Sequence, residues 1–282
     1  MKQGLGFLIF TLGSLLVAQQ PHLAINPKVL QTHVEFLSDD LLEGRGTGER
    51  GGELTVRYLE TQSKLIGLQP FNGTSYRQSV KIAGLKTLPT STLSFEGQSS
   101  WIPSFGSDIV YGTGATKEAI DMDAPMVFVG YGITAHEEQW DDYKGLNYQG
   151  KVVVMMVNDP QPTPSEPSRF GGASLTYYGR WTYKFEEARR QGAAGVLLIH
   201  TTPSASYGWS VVENGWRKER SQLATGAGGT DLQGWISNET AQKLFAMSGL
   251  NLDQERVKAE KRSFKPVPLS VKIKSSLKSQ VR

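Results

Sequence analysis

The sequence predicts an α+β fold, a helical hairpin followed by a strand-rich body that contains one β-α-β unit. Three observations carry this. Helical spacing of apolar residues gives two successive helices in the first third of the chain, up to about Leu65. From about Tyr76 onward the apolar residues either alternate or run continuously, as they do in half-buried and fully buried strands. The 31 glycines and 13 prolines among 282 residues demand many turns. Length allows one large or two modest domains, and 38% hydrophobic against 20% charged residues is a core-forming composition.

Residues 1–18 read as a signal peptide. Lys2 supplies the positive start, Leu5 to Val17 an apolar run, and Leu16-Val17-Ala18 a small-residue cleavage site. The run is shorter than the roughly 20 residues of a spanning helix. The expectation is a secreted or periplasmic protein with no stable membrane insertion after cleavage.

Asn26 and Pro27 suit the N-cap and first position of a helix, and Leu30, His33, Val34 and Leu37 share one face, so a helix is expected over Pro27–Leu37. Ser38 to Gly48 follows as a charged, glycine-punctuated turn, in which Arg45 is expected to pair with Asp39, Asp40 or Glu43. A second helix is expected from about Glu49, with Leu54, Tyr58, Thr61 and Leu65 on one stripe and Gly67 at its left-handed end. Tyr76 to Ile82 and Leu93 to Phe95 alternate as strands. Met126–Val129 and Lys151–Val157 are continuous apolar runs, and Pro160 to Pro167 is a surface loop. Trp181, Phe185 and Ala188 mark a helix ending at Gly192, and Ala193 to Ile199 is the next buried strand, which completes the β-α-β unit. Tyr207 to Trp216 reads as an aromatic loop and Gly226 to Gly229 as a flexible one. Ala241–Met247 is a short helix, Glu255–Lys265 a solvated connection, and Leu269, Val271 and Ile273 belong to a last alternating strand.

Composition excludes several chemistries. With 30 basic and 27 acidic side chains and no basic stripe, nucleic acid is not an expected partner. The absence of cysteine removes disulfides, thiolate zinc sites and cysteine nucleophiles. Gly46 to Gly51 spells a dinucleotide fingerprint, yet the segment before it is helical and acidic, whereas pyrophosphate binding needs a strand there. His136-Glu137 opens like a zincin motif, but position 140 is Trp where a second histidine is needed. Adjacent acids Glu137-Glu138 and Glu186-Glu187 diverge in a strand or helix and read as solvated. No Gly-x-Ser-x-Gly elbow is present. No catalytic and no metal-binding residue is therefore predicted. Tyr178, Trp209 and Trp216 lie in glycine-containing aromatic stretches, where rigid rings can form a recognition surface or plug a core.

The run Phe36 to Gly48 (FLSDDLLEGRGTG) resembles a segment near the N-terminus of exported di-zinc aminopeptidases, a family that includes glutamate carboxypeptidase. The resemblance continues through Tyr58-Leu59, Gly67 to Pro70 and Tyr76 to Gln78. It extends into a protease-associated (PA) domain at Val127 to Ile133, Asp141 to Tyr143, Gly150 to Val154 and Gly192 to Val196. It implies an N-terminal part of an α/β zinc-peptidase domain over 26–100, a PA lid over 101–260 and a return strand into the catalytic domain over 261–282. It also implies a peptide substrate and two zinc ions in a complete family member. The metal-binding motifs of the family follow its PA domain and have no counterpart in this sequence, so no cofactor is expected on these residues. The function implied is the front and lid portion of a secreted zinc exopeptidase. The alternative is a free-standing PA-type module that binds protein or peptide without enzymatic activity.

Overall fold

A computed structural model describes residues 25–71, 73–224 and 228–282. The signal peptide expected over 1–18 and the first two residues, Gly226 and Ala227, of the loop expected at 226–229 lie outside these residues. The chain divides into two compact units, 1–78 and 79–282.

In the first unit, α1 (Pro27–Leu37) begins as its sequence requires, with the Asn26 side chain accepting from the Lys28 N–H and Pro27 in the first turn. Helix α2 (Arg50–Leu65) ends with Gly67 at φ +78°, the Gly67 N–H on the Lys64 carbonyl and the Leu68 N–H on that of Ser63. This pair of bonds is a Schellman closure, at the glycine the sequence indicated. Between the helices Asp40–Arg45 forms a 3₁₀ turn capped by Asp39. Gly51 and Gly52 let this turn lie directly on α2. A Cβ at Gly51 would stand 1.7 Å from the Leu42 carbonyl oxygen, and one at Gly52 2.3 Å from that of Gly46. The fingerprint glycines thus serve packing, behind a turn that offers no strand. The helices meet where Phe36 stacks on Tyr58 at 4.4 Å and the Tyr58 hydroxyl shares a 2.5 Å hydrogen bond with His33 Nδ1.

The strand expected from Tyr76 does not form before Ile82. Arg77 Nε donates to Glu60 at 2.9 Å and the Tyr76 hydroxyl to the Leu68 carbonyl at 2.6 Å. Both side chains tie this segment back to α2 and its exit, so it cannot alternate towards a partner strand. The Leu54 to Leu65 stripe is also not a buried face. Among the described residues of 25–78 only Leu42 and Gly51 are buried.

The second unit comprises β1 (Ile82–Thr87), β2 (Thr92–Glu96), β3 (Ser100–Trp101), β4 (Ile109–Gly112), β5 (Ala119–Phe128), β6 (Thr134–Ala135), β7 (Trp140–Asp141), β8 (Val152–Met156), α3 (Trp181–Arg190), β9 (Gly195–Ile199), α4 (Thr202–Ala205), α5 (Trp209–Arg217), β10 (Arg220–Leu223), β11 (Leu232–Ile236), α6 (Asn238–Met247), α7 (Leu252–Ala259) and β12 (Val267–Val281). Among the described residues these make one large mixed sheet in the order β10-β1-β12-β5-β8-β9-β11-β4, with β2 and β3 branching from β12. The pairs β5-β8, β8-β9 and β9-β11 are parallel and the rest antiparallel. The expected β-α-β unit is present as β8-α3-β9, in register from Val152↔Gly195 to Met156↔Ile199.

Continuous apolar strands need cover on both faces, and both are covered. Val153, Met155, Val196 and Leu198 pack under Phe185 and Ala188 of α3 and Val212 of α5. Val152, Val154, Leu197 and Ile199 share the opposite core with Leu244 and Phe245 of α6 and with Leu252 and Ala259 of α7. The sheet curls until its ends meet. Thr87 Oγ1 donates to the Tyr111 carbonyl at 3.1 Å, Arg220 to that of Thr113 at 2.8 Å, and Gln222 to that of Gly114 at 3.0 Å.

Positions 100/101 and 260/261 both lie inside the second unit, where β12 pairs β5 along one edge and β2 and β1 along the other. Two expectations change here. The aromatic loop contains helix α5, since Trp209, Val212 and Trp216 recur at spacings of three and four. The solvated connection begins as helix α7, capped by Asn251 and with Leu252, Glu255 and Ala259 buried.

Candidate functional site

A cleft of about 850 Å³ opens in the second unit between α3, α5, β10 and β11. Helix α3 supplies Trp181, Phe185, Glu186, Arg189 and Arg190 to its wall. Its C-terminus is fixed by Gly192 at φ +81°, with the Gly192 N–H on the Arg189 carbonyl and the Ala193 N–H on that of Ala188. Arginines in a last turn also complement the negative end of the helix dipole. From α5 come Val211, Val212 and Trp216, and from β11 Gln233 and Trp235. Strand β10 lines the cleft with all four of its residues, Arg220 to Leu223.

The rings form a chain: Trp181 lies 6.5 Å from Trp235 and 5.9 Å from Phe185, which is 6.4 Å from Trp216. The Arg220 guanidinium stacks on Trp216 at 3.8 Å. Burial disfavours its charge, but an arginine keeps its proton, so the floor of the cleft is cationic at neutral pH. Arg190 is engaged by Glu187 at 2.7 Å. Arg189 is half-buried and makes no ion pair among the described residues. Glu186 is the one acid of the wall, and it accepts from the Tyr177 hydroxyl at 2.7 Å. Chemically the cleft offers aromatic faces and two cations without carboxylate partners, which suits an extended ligand with apolar and anionic groups.

Only one of the three aromatic candidates lines this cleft. Trp216 does. Trp209 packs against His200 at 5.5 Å and donates its indole N–H to the Gly106 carbonyl, so it anchors α5 from outside the lining. Tyr178 packs on Phe170 and Tyr183 and donates its hydroxyl to Glu137, which holds its pKa up to about 12 and lowers that of Glu137. In the first unit, Glu43 pairs with Arg50 at 2.6 Å instead of Arg45, and Asp39 is committed to the Leu41 N–H. Asp40 and Arg45 are exposed in the same turn. Sequence reading missed Trp181 and Trp235 as lining residues, together with Arg189 and Arg220. Spacing gave no signal for Arg220, because α5 ends at Arg217 and Arg220 reaches the Trp216 ring from the first position of β10.

The decoy motifs resolve into structure. His136 to Gln139 is the turn between β6 and β7, and Trp140 is buried with its indole N–H on Asp142 at 2.8 Å. Glu187 is buried and accepts from Arg190 and Gln191, so it is a packing carboxylate and not a solvated one. Buried Lys184 donates to the carbonyls of Tyr131 at 2.6 Å and Asn158 at 2.8 Å; burial lowers its pKa and raises that of Asp142. Its donors end on backbone, which makes it a brace between loops.

Among the described residues no group of three or more His, Asp or Glu could hold a metal ion. The two zinc ions implied by the family resemblance find no donor set among the described residues. Nor is any described helix long and apolar enough to cross a membrane.

No protein-family model matches the sequence. No curated protein matches it either. Among solved structures, an aminopeptidase from Aneurinibacillus sp. strain AM-1 is similar over 91% of this chain and 45% of its own, with 18% identity and a TM-score of 0.42. BSAP, a zinc aminopeptidase from Bacillus subtilis, is similar over 89% of this chain and 43% of its own, with 13% identity and a TM-score of 0.31. The chain spans less than half the length of either protein, and at these scores neither likeness assigns a residue or an activity to it.

Proposed function

We propose that this chain is the peptide-recognition portion of a secreted exopeptidase of the zinc aminopeptidase kind. In this reading the sheet unit is a PA-type lid that shapes the access of peptides, and the metal-bearing catalytic residues belong to sequence not contained here. The observation that carries the reading is the cleft, where aromatic faces converge with two arginines that have no carboxylate partner among the described residues. The ordered segments from Phe36 to Val196 that resemble exported di-zinc aminopeptidases supply the class.

Titration of the chain with a mixed library of short peptides, followed by tryptophan fluorescence, tests it. Saturable binding that Trp216→Ala weakens is expected, with no release of amino acids. Bound zinc together with peptide turnover by this chain would overturn the division of labour, and failure of every peptide to bind would overturn the recognition role. A second reading, a free-standing peptide-binding module, is favoured by the sheet unit's own complete core on both faces. The DNA beyond the codon for Arg282 separates the two: a His-x-Asp followed by a Glu-Glu supports the first.

A further inference from the structure

We infer that β10 is a docking edge, on which an extended peptide with an acidic residue two places from an apolar one adds as a further strand. The inference rests on the peptide-recognition reading above and names its geometry and ligand class. Successive residues of a strand point to opposite faces, so a cavity that meets a face touches every second residue. Here four consecutive residues, Arg220 to Leu223, line the cleft. The cleft therefore meets the strand at its edge, where the backbone groups lie.

Among the described residues no further strand lies on that edge. Strand β10 ends the sheet and, among those residues, pairs with β1 alone. The register matches Ala83 with Gln222 and Leu85 with Arg220, and the Ala224 N–H bonds the Lys81 carbonyl at 2.9 Å. Bonding in an antiparallel ladder alternates, so Arg220, Gln222 and Ala224 face β1 while the N–H and C=O groups of Ser221 and Leu223 face away. Strand β1 shows the matching phase on its far side, where Gly84 exchanges bonds of 2.8 and 3.1 Å with Arg282. An exposed edge is ordinarily blunted by charge, proline or a covering element. This one instead opens on Trp181, Phe185, Trp216 and Trp235.

A peptide laid along Ser221–Leu223 would gain main-chain hydrogen bonds from the edge and place alternate side chains towards the aromatic wall, the mode used wherever a strand is added to a sheet. The charge of the wall selects among peptides. Arg189 has no carboxylate partner among the described residues and Arg220 has only a carbonyl and a ring, so a carboxylate completes what the wall lacks.

The test uses the full chain and fluorescein-labelled, N-acetylated, C-amidated hexapeptides in which leucine and glutamate take turns at every second position, with threonine between them. Four ligands are compared: this peptide, its counterpart with glutamine for glutamate, and two versions N-methylated at alternate backbone nitrogens, one in each phase. The first should bind, and the glutamine peptide and one of the two methylation phases should bind about tenfold more weakly, the scale of a lost charge-assisted or paired main-chain interaction. Arg189→Gln should erase the preference for glutamate over glutamine. Equal binding of the N-methylated peptide in both methylation phases overturns strand addition, and equal binding of the glutamine peptide overturns the acidic selectivity. Both results leave peptide recognition standing. Only the failure of all four ligands and of the mixed library removes that underlying reading as well.

Discussion

Gly51 shows how much a missing side chain can decide. A methyl group there would stand 1.7 Å from the Leu42 carbonyl oxygen, and no flexible side chain is available to move aside. Gly51→Ala should therefore part the turn from α2 and cost about 3 kcal/mol, at the upper end of overpacking penalties, read as lost helical ellipticity of the first unit. Lys184 makes a similar point through its partners. Lys184→Met removes the donor for two buried carbonyls and leaves Asp142 without its neighbouring cation, so a loss of about 3 kcal/mol is expected in urea melts of the second unit. His200 adds a pH dependence. It is buried, its Nε2–H donates to the Tyr207 carbonyl at 3.1 Å, and burial lowers its pKa below the ordinary 6.5. As pH falls through 6.5 the unfolded chain takes up a proton that the folded one refuses, so stability should decline below that pH, and His200→Gln should flatten the decline.

At the level of elements, what the sequence disclosed depended on whether local chemistry alone decided the outcome. The N-cap and first turn of α1, the Gly67 closure of α2 and the apolar runs of β5, β8 and β9 are local, and they were readable. Helix α5 carried the right period in Trp209, Val212 and Trp216, but Asn214 and Gly215 masked it. The segment at Tyr76 alternates like a strand, and the ion pair of Arg77 with Glu60, 17 residues away, together with the Tyr76 hydroxyl on the Leu68 carbonyl, shows why it is not one. Of the three aromatic candidates only Trp216 reached the cleft, because the partners of Tyr178 and Trp209 lie on distant segments, at Glu137 and Gly106. Strand β12 is the opposite case, alternating throughout and longer than its readable start. Its inward residue Ile273 is fully buried between β2 and β5. Ile273→Ala should cost about 3–4 kcal/mol in the second unit, as large truncations in a closed core do, whereas Lys272→Ala, on an exposed position of the same strand, should stay within about 0.5 kcal/mol.

Across the whole molecule the two units differ in how they are held. The second has a sheet with apolar cores on both faces, and its longest strand is paired along both edges. The first has two helices and a turn in which, among the described residues, only Leu42 and Gly51 are buried, while Leu30, Val34, Leu65 and Ile66 are each more than half exposed. Burial of apolar surface is the main term that offsets chain entropy, at about 25 cal/mol per Å², and a hairpin that buries one leucine gains little of it. Its hydrogen bonds should therefore open at low free energy, independently of the sheet. Hydrogen exchange should find the amides of 27–65 protected far less than those of β5, β8 and β9. Limited proteolysis should cut first between Leu65 and Ile82, leaving a resistant core that retains β1 and β2. A resistant core beginning near residue 101 would mean that β1 and β2 belong with the hairpin, against their pairing with β10 and β12. Protection of 27–65 equal to that of the sheet would mean that the exposed leucines are covered in solution, and the two units would then unfold as one.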